Sequence, residues 1–248
     1  MTPQFIHLNI HSEFALIDGI VRVKPLASAC AKGQMPAVAL TDQMNLFGLV
    51  KFYKACLAAG VKPIIGVSVY LANEKEPEKP FEAILLCQNE IGYRNLAELV
   101  SRGYLEGQHH GRVVLQRAWV VEQNAGLIML SGAQKGDVGQ ALLAGNQTRA
   151  EKILQRWMEV FPNRYYFELQ RLGRPHEEAY IRSAVELAQQ HHLPVVATNA
   201  VRFIKQDDFD AHETRVAIHD GYTMIDPNRP RNYTRQQYLK TPDAMVEL

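Results

Sequence analysis

The chain has 248 residues, a length that one large α/β domain can fill, and 47% of them are hydrophobic, enough for a substantial core. Its 27 Lys and Arg nearly balance its 26 Asp and Glu, so the net charge argues against a protein that grips DNA over its whole surface. The three cysteines are widely spaced and form no C-x-x-C pair, which gives no support to a zinc knuckle or a disulfide framework.

The N-terminal segment Met1–His11 lacks the basic and apolar regions of a signal peptide. No window of the sequence approaches 18 uninterrupted apolar residues. We therefore expect a soluble, cytoplasmic protein that does not associate with a membrane.

Short apolar runs rich in β-branched residues alternate with helical patterns along the chain. Helical spacing of apolar residues predicts amphipathic helices around Leu46–Leu57 and Ile153–Phe161. Seven runs are predicted to be strands: Phe5–Ile10, Ala37–Thr41, Pro63–Leu71, Phe81–Cys87, Gly126–Leu130, Arg164–Leu169 and Pro194–Thr198.

Strands that alternate with helices predict parallel pairing, because each parallel connection needs a crossover that is usually a helix. A closed or nearly closed β/α barrel is favoured over an open doubly wound sheet, since no G-x-G-x-x-G follows any strand. The charged segment Asn73–Pro80 is predicted to be an exposed, hairpin-like loop. The helix that begins at Thr241 stops after about two turns, so we expect the sequence to be a segment of a longer chain.

In a β/α barrel, functional side chains gather at the C-terminal ends of the strands. A hydrolytic metal cluster needs several imidazoles and carboxylates that converge there, and the strand ends of this sequence offer too few. His7 and His11 are four residues apart in a segment predicted to be extended, so they need not share a face. Each is more simply interpreted as a hydrogen-bonded residue at the barrel mouth.

A basic stretch with interleaved aromatic residues lies near the C-terminus: Arg229, Arg231, Tyr233, Arg235, Tyr238 and Lys240. Such a stretch could contact phosphates, but a surface loop that packs on the rest of the chain is favoured. The nearby His212-Glu213 pair is not an H-E-x-x-H zinc motif, because Val216 stands in the place of the second histidine.

Several motifs resemble the polymerase and histidinol phosphatase (PHP) family, in the form that occurs in DNA polymerase III alpha subunits. The stretch FIHLNIHSEFALIDG resembles its opening motif, and ALTDQMNLFGLVKFYKACLAAGVKPIIG resembles its second and third motifs. GYRNLAELVSRGY, LIMLSGAQKGDVG, VVATNAVRFIKQDDFDAHE and DDFDAHETRVAIHDGYTMIDPNRPRNYT are also similar to it. The resemblance covers essentially all of residues 1–248 as one PHP domain and implies a distorted seven-stranded β/α barrel. In active members the barrel mouth holds metal ions that hydrolyse phosphoesters.

The resemblance also implies where the metal ligands would stand, and these ten positions form a predicted vestigial metal pocket: Asn9, His11, Asp18, Asp42, Gln43, Ser68, Glu82, Ala133, Ala200 and Arg202. Asp18 and Asp42 match the family pattern. Of the H-x-H pair only His11 remains, because Asn9 stands at the other position. Glu82 replaces a histidine that leads the fourth strand.

The other five positions depart further from the family. Gln43 replaces a histidine, Ser68 a glutamate, and Ala133 a cysteine or histidine. The final D-x-H pair has become Ala200 and Arg202. An amide or a hydroxyl is a poor substitute for imidazole or carboxylate, and Arg202 adds a permanent cation, which we expect to pair with Asp42 or Glu82. The chain is thus predicted to have no catalytic, cofactor-binding or metal-binding residue.

The functional prediction that follows is a pseudoenzyme domain within a DNA-directed DNA polymerase, a nucleotidyltransferase. The resemblance implies a non-catalytic scaffold that docks the proofreading exonuclease (epsilon) subunit and supports the remainder of the alpha subunit polymerase, where the Mg²⁺-dependent chemistry belongs. DNA is expected to bind weakly at most. The alternative is a metal-dependent phosphoesterase or exonuclease with a rearranged ligand set, which metal content after purification would distinguish.

Overall fold

The computed structural model describes residues 5–109 and 111–248. The chain divides into two compact units. Unit 1 comprises the residues up to Ile64 together with Arg171–Arg174 and Thr198–Leu248, and unit 2 comprises Ile65–Gln170 and Pro175–Ala197.

Helices and strands alternate through most of the chain, as predicted. The helices are α1 Val23–Lys32, α2 Leu49–Ala58, α3 Glu90–Glu106, α4 Arg117–Glu122, α5 Asp137–Leu143, α6 Gln147–Val160, α7 Glu177–Gln190, α8 Phe209–Asp220 and α9 Pro242–Val246. The strands are β1 Ala37–Leu40, β2 Lys62–Leu71, β3 Phe81–Cys87, β4 Gln108–His109, β5 Arg112–Val113, β6 Leu127–Leu130, β7 Tyr165–Leu169 and β8 Val195–Ala197.

The sheet of unit 2 has the order β2-β3-β6-β7-β8 and mixes both directions of pairing. β6 pairs with β7, and β7 with β8, in parallel. β2 pairs with β3, and β3 with β6, antiparallel. The prediction of purely parallel pairing was therefore wrong. Its cause lies in residues 72–80, which connect β2 to β3 without a helix and so close an antiparallel pair, in agreement with the hairpin-like loop predicted there.

Six of the seven predicted strand runs form strands within a residue or two of their expected bounds. The exception is Phe5–Ile10, which makes contacts at single residues instead of a continuous ladder. Ile10 forms an isolated bridge with Val201, and the carbonyl of His7 accepts the Ala39 N–H at 2.9 Å. The strand count therefore differs from the seven of the expected barrel, while the α/β fold class holds.

Helix α2 exists as predicted, but Val50, Tyr53 and Leu57, three of the apolar residues whose helical spacing predicts it, do not point to the core. Phe52 and Cys56 are fully buried, whereas Val50, Tyr53 and Leu57 are 59%, 47% and 57% exposed. The helical spacing was correct and the choice of buried face was wrong, because two apolar stripes run along this helix and the sequence does not say which one packs.

Candidate functional site

Asp18 is the centre of a buried hydrogen-bond network in unit 1. Its Oδ1 accepts a hydrogen bond from Nδ1 of His11 at 2.6 Å, and its Oδ2 accepts one from Nε of Arg202 at 2.7 Å. The hydroxyl of Tyr233 donates to the same Oδ2 at 3.3 Å, and Nε2 of His212 donates to the Asp18 backbone carbonyl at 2.8 Å. Both oxygens of the carboxylate are thus engaged by protein donors.

The close approach of two backbone segments brings Asp18 to His11. Gly19 follows the aspartate, and a Cβ atom added there would lie 2.1 Å from the carbonyl oxygen of Ser12. Only glycine leaves room for this contact. On the other side, the N–H of His11 donates to the Val201 carbonyl at 3.0 Å, and the N–H of Ile20 donates to the Arg202 carbonyl at 2.9 Å.

Arg202 is almost completely buried within this network. Besides its bond to Asp18, its Nη1 donates to Oδ1 of Asn9 at 3.2 Å and to the Val201 carbonyl at 3.1 Å. Burial alone would raise the pKa of Asp18, but the guanidinium of Arg202, with His11, outweighs it and holds that pKa well below its usual range. The prediction of a buried, carboxylate-paired Arg202 is confirmed.

The predicted partners of Arg202 were wrong, because another group already occupies Asp42. Oδ1 of Asp42 accepts the backbone N–H of Ser12 at 2.5 Å, and its Oδ2 accepts the Ser12 hydroxyl at 2.8 Å. Burial raises the pKa of Asp42 in spite of these bonds. Ser12 lies beside His11 and also caps the turn that follows, by accepting the Phe14 N–H at 3.1 Å.

Two further members of the predicted pocket lie in unit 1. Gln43 and Ala200 are both buried, at 9% and 3% exposure. The Gln43 carbonyl accepts from Nδ2 of Asn45 at 3.1 Å, and the Ala200 carbonyl accepts from Nε2 of Gln237 at 3.1 Å. Ala200 also has a φ of 45°, a strained conformation for a residue with a Cβ atom.

The remaining three members lie in unit 2. Ser68 on β2 and Ala133, which starts a 3₁₀ turn, are buried. Glu82 on β3 is part-exposed and pairs with Lys135 at 2.9 Å instead of the predicted Arg202. These two side chains line a cleft of about 460 Å³.

Four of the ten positions of the predicted pocket carry an imidazole or a carboxylate: His11, Asp18, Asp42 and Glu82. Throughout residues 5–109 and 111–248, no group of three or more His, Cys, Asp or Glu side chains is arranged to hold a metal ion. Across the same residues, no helix is long and apolar enough to cross a membrane. The retained carboxylates, Asp18 and Asp42, accept hydrogen bonds on all four of their oxygens.

The basic stretch near the C-terminus packs on unit 1, as favoured from the sequence. Arg229 is buried and its Nη1 binds Oε2 of Glu213 at 2.6 Å. Lys240 is 3% exposed, and its Nζ donates to the carbonyl and the side-chain oxygen of Gln236 at 2.6 and 3.0 Å. Burial lowers the pKa of Lys240 to about 8. Arg235 pairs with Asp210 at the surface.

Sequence reasoning missed side chains that contact Asp18 and Asp42, among them Tyr233 and Ser12. Tyr233 was assigned only to the basic stretch, and no sequence signal connects it to a residue 215 positions away. Ser12 carried a signal, because a serine directly before Glu13 is typical of a helix N-cap. That signal predicts its bond to Phe14 but not its hydroxyl bond to Asp42.

Comparison with known proteins relates the chain to a family. The PHP domain family matches residues 7–172. The chain is 54% identical over 248 residues to DNA polymerase III subunit alpha of Pseudomonas aeruginosa, and 48% identical over 246 residues to that of Escherichia coli K12. These alignments cover 100% and 99% of this chain but 21% of each relative, so the chain spans about a fifth of their length.

A solved structure supports the same fold. An amidohydrolase from Chromobacterium violaceum, with bound sulfate and no metal, matches with a TM-score of 0.51 and 15% identity. That match covers 78% of this chain and 86% of the amidohydrolase. With the family match over two thirds of the sequence and the α/β architecture described above, the chain belongs to the PHP domain family.

Proposed function

We propose that this chain is a PHP domain of a DNA polymerase III alpha subunit that acts as a non-catalytic scaffold. In this role it docks the proofreading exonuclease (epsilon) subunit and supports the polymerase body. Its similarity to alpha subunits over its whole length supports the assignment to that protein. One structural observation carries the non-catalytic part, namely the buried contact between Arg202 and Asp18.

In this contact the Arg202 guanidinium takes the position beside Asp18 that a metal ion would otherwise occupy. The guanidinium supplies the positive charge that a metal would otherwise supply to Asp18, and it cannot be deprotonated. A dication beside Arg202 would meet a fixed like charge at close range, and Asp18 would have to give up its bonds to His11 and Arg202. The residues present therefore do not fit a metal cluster.

The burial and pairing of the cations in the basic stretch favour a protein partner over DNA. Of its four cations, Arg229 and Lys240 are buried and Arg235 is paired with Asp210. Of this stretch only Arg231 is left to neutralise phosphates, and electrostatic binding to DNA requires several cations at once. We expect a Kd for duplex DNA of about 10⁻⁴ to 10⁻⁶ M at physiological salt, the ordinary non-specific range.

The test compares two ligands on the same protein. The exonuclease subunit of the same organism and a duplex oligonucleotide are titrated into the chain at two salt concentrations. The scaffold role requires tighter binding of the exonuclease subunit, with the weaker salt dependence. DNA binding below 1 μM that persists in high salt, without binding of the exonuclease subunit, would refute it.

The alternative phosphoesterase function is tested by elemental analysis of protein purified without chelators. Two or three Zn, Mn or Fe ions per chain, each essential to hydrolysis of a phosphoester substrate, would establish that function instead. We expect metal well below one ion per chain. The midpoint of thermal unfolding should also not rise with added Zn²⁺ or Mn²⁺ below the millimolar range, because only an ion that binds the folded state stabilises it.

A further inference from the structure

Helix α8 carries two adjacent buried side chains, His212 and Glu213, that connect two ion pairs of unit 1. Nε2 of His212 donates to the backbone carbonyl of Asp18, whose carboxylate is paired with Arg202. Oε2 of Glu213 accepts a hydrogen bond from Nη1 of Arg229 at 2.6 Å. His212 is 0% exposed and Glu213 is 4% exposed, so the groups between the two ion pairs are shielded from bulk water.

One buried atom of each of these side chains has no hydrogen-bond partner among the described residues. The two atoms are Nδ1 of His212 and Oε1 of Glu213. They lie 3.9 Å apart, which is too far for a direct hydrogen bond. A polar atom that is buried without a partner costs free energy, and native structures contain few of them. Two such atoms side by side therefore need a common partner.

The protonation state of His212 decides what kind of partner fits. A backbone carbonyl can only accept, so Nε2 must carry the hydrogen atom that is donated to Asp18. In the neutral ring Nδ1 then has a lone pair, and burial favours this form because it lowers the pKa of His212. The atom next to it is a carboxylate oxygen. The common partner must therefore donate a hydrogen bond to each of two acceptors.

We propose that a single buried water molecule binds between His212 and Glu213 and donates one hydrogen bond to each. One oxygen that donates two hydrogen bonds of about 2.8 Å reaches acceptors roughly 4.4 Å apart. The separation found between the two atoms, 3.9 Å, is close to that span. Nε of Arg229 is also buried without a partner among the described residues, and it can donate to the oxygen of the water. Two acceptors and one donor match the hydrogen-bonding capacity of an internal water, which typically makes about three such bonds.

A metal ion or a direct bond fits this place less well than water. Zinc that is held by a nitrogen and an oxygen at about 2.1 Å each brings those atoms to roughly 3.4 Å from each other in tetrahedral geometry. In the described part of the chain, no third His, Cys, Asp or Glu joins the two side chains to hold an ion. A direct bond between a protonated His212 and Glu213 needs a distance of at most about 3.2 Å. The observed 3.9 Å agrees with neither alternative.

The water connects the network around Asp18 to the basic stretch near the C-terminus. On one side of it, His212 binds the Asp18 carbonyl. On the other side, Glu213 binds Arg229, the first residue of the basic stretch. The water completes a continuous path of hydrogen bonds between two buried ion pairs, and such a bridge is nearly as favourable in enthalpy as a direct bond. This site does not depend on the proposed docking role.

A crystal structure of the chain, at a resolution that shows ordered water molecules, tests the site directly. We expect an electron-density peak within about 3.2 Å of both Nδ1 of His212 and Oε1 of Glu213. A direct contact between those two atoms would overturn the proposal. So would a structure that shows ordered water elsewhere in the interior but no peak at this place.

The state of the imidazole ring is measured in solution from the nitrogen-15 chemical shifts of His212 at pH 7. We expect the neutral tautomer with the hydrogen atom on Nε2 and a hydrogen-bonded lone pair on Nδ1. A doubly protonated ring would contradict the proposal, because Nδ1 would then be a donor and not an acceptor.

The water itself is counted by oxygen-17 relaxation dispersion, which detects long-lived internal water molecules. His212→Phe keeps a ring to pack against Phe203 and Tyr233 but removes Nδ1, and it should lose about one such water relative to the wild type. His219→Phe, at an exposed histidine of the same helix, is the control and should lose none. Equal counts in the wild type and His212→Phe would overturn the proposal. If His212→Phe does not fold, the crystal structure and the chemical shifts of the wild type decide.

Discussion

Nε of Arg202 lies 2.7 Å from Oδ2 of Asp18, and the two side chains are only 9% and 10% exposed. The pair joins residues 184 positions apart in the chain. It holds together the segments on which the predicted metal pocket of unit 1 would have been built. The interior of the site is therefore stabilised by an ion pair between two of its own residues, and this makes specific predictions about mutation, metal binding and pH.

Removal of the guanidinium should destabilise the chain strongly. Arg202→Met leaves the buried carboxylate of Asp18 without its main cation, and breaking a buried ion pair from one side costs about 3–5 kcal/mol. Urea unfolding measures the loss. Arg235→Met, which breaks the exposed pair with Asp210, is the control and should cost less than about 1 kcal/mol. Equal losses in the two variants would mean that Arg202 is not a structural cation.

Restoring one ligand should not restore metal binding. Gln43→His reintroduces an imidazole expected from the family pattern, but Arg202 continues to occupy Asp18. We expect less than one Zn²⁺ per chain by elemental analysis of Gln43→His. Gln43→Asn is the matched control, because it changes the same side chain without adding a ligand. Stoichiometric zinc in Gln43→His alone would contradict the argument from Arg202.

Acid should destabilise the chain through His7. Burial lowers the pKa of His7 from 6.5 to about 4, and its Nδ1 is buried without a hydrogen-bond partner in the described structure, while Nε2 donates to the Lys240 carbonyl at 2.9 Å. Between these two pKa values the unfolded chain binds the extra proton, so the free energy of unfolding falls as the pH is lowered from 6.5 toward 4.

The size of this effect can be measured by urea unfolding at pH 7 and pH 5. At 1.36 kcal/mol per pH unit, His7 should account for a loss of about 2 kcal/mol by pH 5. His7→Gln keeps a donor for the Lys240 carbonyl but cannot be protonated, so its stability should depend less on pH by that amount. His109→Gln, at an exposed histidine, should keep the wild-type dependence. If the stability of His7→Gln depends on pH as strongly as that of the wild type, His7 is not the titrating group.

Arg229 should contribute to the stability of the fold and not to DNA binding. Its Nη1 lies 2.6 Å from Oε2 of Glu213, and both side chains are 6% exposed. Arg229→Met should therefore cost about 3–5 kcal/mol in urea unfolding, while the Kd for duplex DNA stays unchanged. The exposed Arg231→Met is the comparison, with little effect on stability. A fall in DNA affinity in Arg229→Met, measured where that variant is still folded, would indicate that the basic stretch binds nucleic acid.

The sequence predicted local structure well and long-range pairing poorly. Periodicity located the strands and helices because burial of one face imposes a repeat of two or 3.6 residues. It could not give the antiparallel direction of β2 and β3, which depends on a short connection, or the isolated contacts of Phe5–Ile10. For α2 the choice between two apolar stripes depends on a neighbour, α1, that the local pattern does not contain.

The sequence predicted that Arg202 pairs with a carboxylate, but it did not predict which one. Asp18, Asp42 and Arg202 all stand at metal-ligand positions of the family pattern. From the pattern alone, either carboxylate could have paired with the guanidinium. The backbone N–H and hydroxyl of Ser12 bind Asp42 and leave Asp18 for Arg202. A backbone donor of this kind has no signature in the sequence, so only the three-dimensional arrangement identifies the pair.

The bond between His7 and the Lys240 carbonyl spans 233 residues, and it has a consequence for how the protein is made. A ribosome adds about 5–20 residues per second, so the N-terminal segment waits roughly 10 to 50 s after its synthesis before its partners emerge. During that interval the buried donors around His11 and Asp18 face water or a chaperone. The last segment of unit 1, Thr198–Leu248, is thus synthesised only after all of unit 2.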